Sequence, residues 1–452
     1  MVRSRNQYWL GGIVLGLLVA GVWWGMAHNR AKPAPLDPST PQSKEGSLRA
    51  RMDQKIQRVE HNLQKSKTPA LYTALAEACM RKARVFHDGA SYLRAERACQ
   101  KALELDTNNY AAIRLIPWVQ NGQHRFDEAV PAARRACAME PKDPWNLGNL
   151  GDALLEIGEY ESAAEVIQQM VDLRPDFASY SRASYVRELF GDPAGAIEIM
   201  GMAVRAANSR DPEQNAWSRV QLGNLYFNSG RYREARLQFQ GAAEILPEYA
   251  SAYVGLAKVQ TAEQQFGEAV SSYRKSLAIV PTFDAVVGLG DLLIYQGKES
   301  EARKVFALLP EIEQHDRSHN IQPESFLSLF QADHDLNLPE ALKTLERRAA
   351  HRKDIRTMDA LAWAYYKSGR YQEALAASRK AMRLGTRDAS FYYHFGMIQR
   401  QLGNLAQANA ALQTALRINP AFHPIHVERA RNELRELAVL SSKSNEKTPR
   451  ES

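Results

Sequence analysis

The chain has 452 residues, of which 45% are hydrophobic and 24% charged, too apolar for a disordered or collagen-like polymer. Three cysteines exclude a disulfide-stapled scaffold. The net charge of +7 sits at one end: residues 1–67 carry 11 Lys/Arg against 4 Asp/Glu, and the remaining 47 basic and 47 acidic residues balance, so nucleic-acid binding is not indicated.

Residues 1–7 form a short N-terminal tail. Tyr8 to Ala27 is a run of 20 residues without a charge, flanked by Tyr8 and Trp9 at one end and Trp23 and Trp24 at the other. As a helix it spans about 30 Å, the hydrocarbon thickness, and the aromatic pairs suit the two interfaces. A cleaved signal peptide is the alternative, with Gly25, Met26 and Ala27 as the small-residue end. The length and bulky end favour a retained single-pass transmembrane anchor. Arg3 and Arg5 precede it, and Arg30 and Lys32 follow. The expected placement keeps the tail in the cytoplasm of a bacterial cell and the body in the periplasm, at the inner membrane. Gly12 and Gly16, and Gly21 and Gly25, have the spacing of close helix packing, which would allow a homodimer.

Residues 28–46 hold Pro33, Pro35, Pro38 and Pro41 and read as an extended tether. In residues 47–68, Ser47 is a candidate N-cap. Leu48, Met52, Ile56, Val59 and Leu63 then form one apolar stripe among Arg49, Arg51, Lys55 and Arg58. Packing of this basic amphipathic helix onto the next element is favoured over a coiled coil, since fewer than three heptads are present.

Residues 69–422 repeat. Units begin near Tyr110, Pro144, Phe177, Ala216, Ala250, Phe283, Gln322, Ile355 and Ala389, with a divergent first unit over 69–109 whose turn at Val85–Tyr92 is expected to be longer. Each has two amphipathic segments. Gly158, Gly191, Gly230, Gly297, Gly369 and Gly403 mark turns between them. The second segment carries Ala129, Ala163, Ala196, Ala235, Ala269, Ala302, Ala341, Ala374 and Ala408 at one register. The facing site in the first is small, as at Gly151, Gly223, Gly290 and Gly396, so paired helices approach closely. Pro141, Pro175, Pro247, Pro281 and Pro420 end second helices. Two spacings of 39 residues place extra residues at Asn208–Asn215 and Gln314–Ile321, expected as loops. Residues 423–440 read as a capping helix and 441–452 as a disordered tail.

The unit from Ala216 to Tyr249 has Trp217, Leu222-Gly223, Tyr226, Gly230, Tyr232, Ala235, Phe239, Ala242 and Pro247. This resembles the tetratricopeptide repeat (TPR) family almost position for position. The resemblance implies an all-α fold: an α-solenoid of about ten helix-turn-helix units in a right-handed superhelix. It further implies a concave groove for protein or peptide partners. Its partner-binding positions by repeat register are Trp118, Trp145, Tyr185, Trp217, Asn224, Phe227, Lys258, Trp363, Tyr366, Lys367, Tyr393 and Arg400, with Asp291 also on that face. For each aromatic, covering a neighbouring helix is the competing role. The Lys and Asn pair of a chaperone-tail clamp occurs in no unit.

No nucleotide, zincin, hydrolase or Rossmann motif is present, so neither a cofactor nor an enzyme is indicated. His315, His319, Asp333, His334 and Asp335 cluster around the irregular eighth unit, and the first two have a usable metal spacing. A solvated loop is the favoured reading; handling of a metal or small ligand there is the alternative function. His423 and His426 read as cap-face residues. In an exported body Cys79 and Cys99 would be a candidate disulfide; otherwise both are small core residues, as is Cys137. The leading reading is a membrane-tethered scaffold that supports assembly of a protein complex.

Overall fold

The structure, a computed structural model, describes residues 48–322 and 325–446. The tail, the expected transmembrane helix 8–27, the linker and the candidate Ser47 cap lie outside the described residues. Among those described, every regular element is a helix, and no helix is long and apolar enough to cross a membrane.

Helix α1 (Leu48–Lys65) packs on the array through Ile56 and Leu63. Ten helical hairpins follow: α2 (Pro69–Phe86) with α3 (Gly89–Leu105), α4 (Tyr110–Gly122) with α5 (Phe126–Met139), α6 (Pro144–Ile157) with α7 (Tyr160–Leu173), α8 (Phe177–Leu189) with α9 (Pro193–Ala206), and α10 (Pro212–Asn228) with α11 (Tyr232–Ile245). Then come α12 (Ala250–Ala262) with α13 (Phe266–Ile279), and α14 (Phe283–Tyr295) with α15 (Glu299–Phe306). A single helix, α16 (Leu309–Ser318), intervenes. The last three hairpins are α17 (Ser325–Asp333) with α18 (Leu338–His351), α19 (Ile355–Lys367) with α20 (Tyr371–Ala381), and α21 (Ala389–Gln401) with α22 (Leu405–Ile418). The cap helix is α23 (Pro424–Glu446).

Loops between hairpins carry oxygen caps for the orphan amides of the next helix. Asp143 accepts from the Trp145 amide (2.9 Å), Asp354 from Thr357 (2.8 Å) and Asp388 from Ser390 (2.8 Å). Asp176 and Ser179 cap each other reciprocally. Inside a hairpin the alanine row is buried; Ala163, Ala235 and Ala408 expose nothing. The facing glycines meet chiefly other side chains. A Cβ on Gly151, Gly223, Gly290 or Gly396 would strike Ile167, Phe239, Phe306 or Leu412, each four residues beyond the alanine. The glycine is thus a notch for a large side chain, and the alanine permits the approach that seats it.

Several expectations change. The first hairpin has no long turn: α2 and α3 run on to Phe86 and from Gly89, because His87 takes the left-handed conformation (φ 50°) and Asp88 caps α3. Gln314–Ile321 is not simply a loop. Its first half belongs to α16, whose Leu309 and Ile312 are buried in one core with Ala76, Cys79 and Ile321; the charged outer face hid a short amphipathic helix. Likewise Asn208–Asn215 enters α10 from Pro212, and this added turn carries buried Glu213 to Arg84 of the first hairpin. Residues 441–446, expected in the tail, continue α23; residues 447–452 lie outside the described residues. Cys79 and Cys99 are free, buried thiols, and burial pushes them up to about 11 and about 12.

The array closes on itself. The Gln123 carbonyl, at the turn of the second hairpin, accepts from the Gln322 amide before the eighth (3.0 Å). At the third turn, the Ile157 carbonyl accepts from Lys353 (3.1 Å) and the Tyr160 hydroxyl from the Ile355 amide (2.9 Å), before the ninth. Thr386, before the tenth, donates to the Leu189 carbonyl at the fourth turn. Asn419, before the cap, donates to the Phe227 carbonyl (3.0 Å) at the fifth. Each partner lies six units on, so successive turns of the superhelix touch. Gly158 sits at one such contact with φ 89°, and a Cβ there would lie 2.6–2.8 Å from the Lys353–Asp354 backbone. Gly297 has a similar φ of 74° with open space around it. Alanine at either position incurs the left-handed strain, but Gly158→Ala should cost about 1–3 kcal/mol more from the clash between turns. Chemical denaturation of the two variants, with small-angle scattering, should show Gly158→Ala less stable and more extended. Equal behaviour would mean that the turns do not touch in solution.

Candidate functional site

The inner-face residues divide into two groups. Tyr185, Phe227, Trp363 and Tyr393 are buried, the last two with 1% and 0% exposure. Tyr185 meets half-buried Arg356, Phe227 lies 5.6 Å from Tyr232, and Trp363 stacks on His394 at 4.3 Å. These four are buried against neighbouring helices, with Tyr185 and Phe227 keeping 8% and 7% of their surface. The other eight are half-buried. Trp118 and Trp145 meet edge to face at 4.9 Å, with the Arg114 guanidinium 5.4 Å over Trp145. Trp217 packs edge-on against Phe177 (5.7 Å). Asn224 lies on α10 and Lys258 on α12. Tyr366 stacks on Trp363 (4.6 Å). Two cations are held within the chain: Lys367 pairs with Asp335 (2.8 Å) and Arg400 with Glu433 (3.2 Å).

The histidines redistribute. The His315 and His319 rings meet at a tilt (4.2 Å between centroids) and crowd Gly89 of the first hairpin. Asp335 goes to Lys367, while Asp333 and His334 turn into the coil and join residues far away in sequence. Asp291 of α14 receives His334 Nε2 (2.9 Å) and His423 Nε2 (3.1 Å). Asp333, at the end of α17, accepts from Trp363 Nε1 (2.5 Å) and faces His426 Nε2 at 3.3 Å. Asp359 of α19 holds His394 Nδ1 of α21 at 2.9 and 3.0 Å. Tyr393 and His423 sandwich the His426 ring at 4.6 and 4.1 Å. His423 and His426, expected on the face of a cap, instead plug the interior between the seventh and tenth hairpins.

The electrostatics follow from this enclosure. Burial opposes charge on Asp291, yet the hydrogen bonds from His334 and His423 outweigh it and hold the carboxyl down at about 2. Burial and the neighbouring His423 depress His426 to about 3, so its ring is neutral. His394 goes the other way: Asp359 overcomes the effect of burial and raises it. No linear spacing signalled this network. It draws on residues 291, 333, 334, 359, 394, 423 and 426, and only the short steps Asp333–His334 and His423–His426 stood out in sequence.

Removing His423 leaves Asp291 with one of its two partners in a buried setting. His423→Ala should therefore cost about 1–3 kcal/mol, whereas His351→Ala, at an exposed position, should stay within about 0.5 kcal/mol. Thermal melts of both variants measure the difference; equal melting temperatures would show that the pairing contributes nothing.

Four segments match the tetratricopeptide repeat: residues 121–184, 220–282, 355–387 and 389–422. The chain is 22% identical over 273 residues to TPR repeat-containing protein YpiA of Bacillus subtilis (strain 168), covering 60% of this chain and 55% of that one. It is 37% identical over 91 residues to tetratricopeptide repeat protein 36 of Mus musculus, covering 20% and 48%. The chain thus spans about half the length of the curated relatives it matches. Among solved structures, the human IFIT1 dimer with PPP-AAAA aligns over 73% of this chain and 77% of its own, with 18% identity and a TM-score of 0.47. With the ten stacked hairpins, these matches support the chain's place in the tetratricopeptide repeat family.

Proposed function

We propose that this protein is a non-catalytic, membrane-tethered scaffold whose repeat array captures a protein or peptide partner. TPR proteins generally mediate protein–protein interaction, which supports the first part. The uncharged run Tyr8 to Ala27 supports the tether, and Arg3 and Arg5 support an array on the far side of a bacterial inner membrane. Paired Gly12 and Gly16 would let two such tethers associate.

One observation carries the location of the partner site. Toward the C-terminal end Trp363 and Tyr393 are buried, half-buried Tyr366 stacks on Trp363, and half-buried Lys367 and Arg400 are held by Asp335 and Glu433, whereas Trp118, Trp145, Trp217, Asn224 and Lys258 keep accessible surface. The partner face is therefore the N-terminal half of the coil. Its edge-to-face tryptophans suit an apolar side chain; the Arg114 guanidinium beside them is already paired with Asp143 (3.2 Å). Aromatic anchors there would bury large area at low cost in side-chain entropy.

The test uses membranes holding the full chain. Cross-linking should recover a partner, and Trp118→Ala with Trp217→Ala should lower its recovery at least tenfold while circular dichroism and melting temperature stay near wild type. Stability falling in step with recovery would return both tryptophans to a purely structural role. Deleting residues 1–30 should release the array to the soluble fraction; a soluble full-length chain would contradict the tether.

A further inference from the structure

We propose that Asp333, His394 and His426 form a binding site for a divalent first-row transition-metal ion of the zinc class. The three residues come from different elements, α17, α21 and α23, and the ligand atoms they offer all lie within 4.8 Å of one another. One carboxylate and two imidazoles make a nitrogen and oxygen set suited to zinc, and three protein ligands leave a coordination position open.

A cluster of ion pairs alone does not account for His394. Its Nδ1 lies against both oxygens of Asp359, at 3.0 and 2.9 Å, while its Nε2 is buried with no hydrogen-bond partner, in a residue only 2% exposed. Buried polar nitrogens are normally satisfied. A carboxylate on one ring nitrogen with the other left open is how proteins orient a metal-ligating histidine: the second residue fixes the tautomer and turns the lone pair toward the ion. Asp333 is oriented in the same fashion by the Trp363 indole at 2.5 Å. The His426 ring is clamped between Tyr393 and His423, with Nε2 3.3 Å from Asp333. Each ligand thus has an outer partner that holds its direction.

The charge around the site also suits a cation. Asp291, Asp333 and Asp359 are all at least largely enclosed, and a divalent ion offsets negative charge that burial makes unfavourable. An ion here joins the eighth and tenth hairpins to the cap helix, so it fastens the end of the coil. The site is distinct from the His315 and His319 pair, which packs on Gly89.

Full-length protein in detergent, stripped with chelator, is titrated with Co²⁺ and then with competing Zn²⁺. Wild type should bind one ion per chain, develop the visible absorption of low-coordinate Co²⁺, and melt at a higher temperature with Zn²⁺. His394→Ala and His426→Ala should each weaken binding at least about 100-fold, and Asp359→Asn by about 10–100-fold. His315→Ala should bind as wild type. If His394→Ala fails to fold by circular dichroism, Asp333→Asn keeps an acceptor for Trp363 and tests the same site. Absence of any Co²⁺ spectrum or melting shift in wild type would overturn the proposal. So would binding that survives His394→Ala and His426→Ala, or that is lost with His315→Ala.

Discussion

A peptide carbonyl at the turn of one hairpin, bonded to an amide six hairpins later, sets the shape of this molecule. Gln123 with Gln322 and Ile157 with Lys353 are the two backbone cases, and Arg352, Arg383, Thr386 and Asn419 add side-chain bonds along the same seam. In an ordinary solenoid each repeat touches only its neighbours, and stability is a sum of local contributions. Here the seam adds contacts across about two hundred residues. Each bond contributes only about 1 kcal/mol net, but several act together, and breaking the seam requires breaking all of them. The array should behave less like a spring and more like a closed tube.

Closure decides what the inner face can do. A groove open along its whole length would present every first-helix aromatic to a partner. In the C-terminal half Trp363, Tyr393, His394 and His426 are buried against one another, with half-buried His423 stacked on His426. The same packing that buries Trp363 gives it a structural task, as donor to Asp333. Along the coil, half-buried tryptophans lie in the second, third and fifth hairpins, and buried carboxylates and histidines gather near the cap.

Much of the fold was legible because nearest-neighbour packing repeats. The pairing of Ala235 with Gly223 recurs at Ala163 with Gly151, Ala302 with Gly290 and Ala408 with Gly396, where the glycine seats a large side chain, and proline and glycine punctuate at the same places. The seam left no such trace. Tyr160 and Ile355 are 195 positions apart, and nothing in either local pattern names the other. Helix α16 was missed because its apolar side is only Leu309 and Ile312 while its outer side is charged, which reads as loop. The candidate centre was half visible. Asp333 and His334 drew notice, but they were grouped with His315 and His319 by sequence distance, and the solenoid sorts them by side of the helix and by turn. His394, whose Asp359 partner lies one hairpin earlier, sat inside an ordinary repeat helix and gave no signal at all.

The claim that the turns touch is tested most directly by hydrogen exchange at single-residue resolution. The Gln322 and Lys353 amides sit in loops between hairpins, where an isolated solenoid would leave them open to water and exchanging within the fastest class. In the closed coil they donate to Gln123 and Ile157, so both should exchange as slowly as amides inside α6 and α19, and Gly158→Ala should speed them without affecting α12. Fast exchange of both amides in the wild-type chain, with the helices protected, would contradict closure and leave an open superhelix.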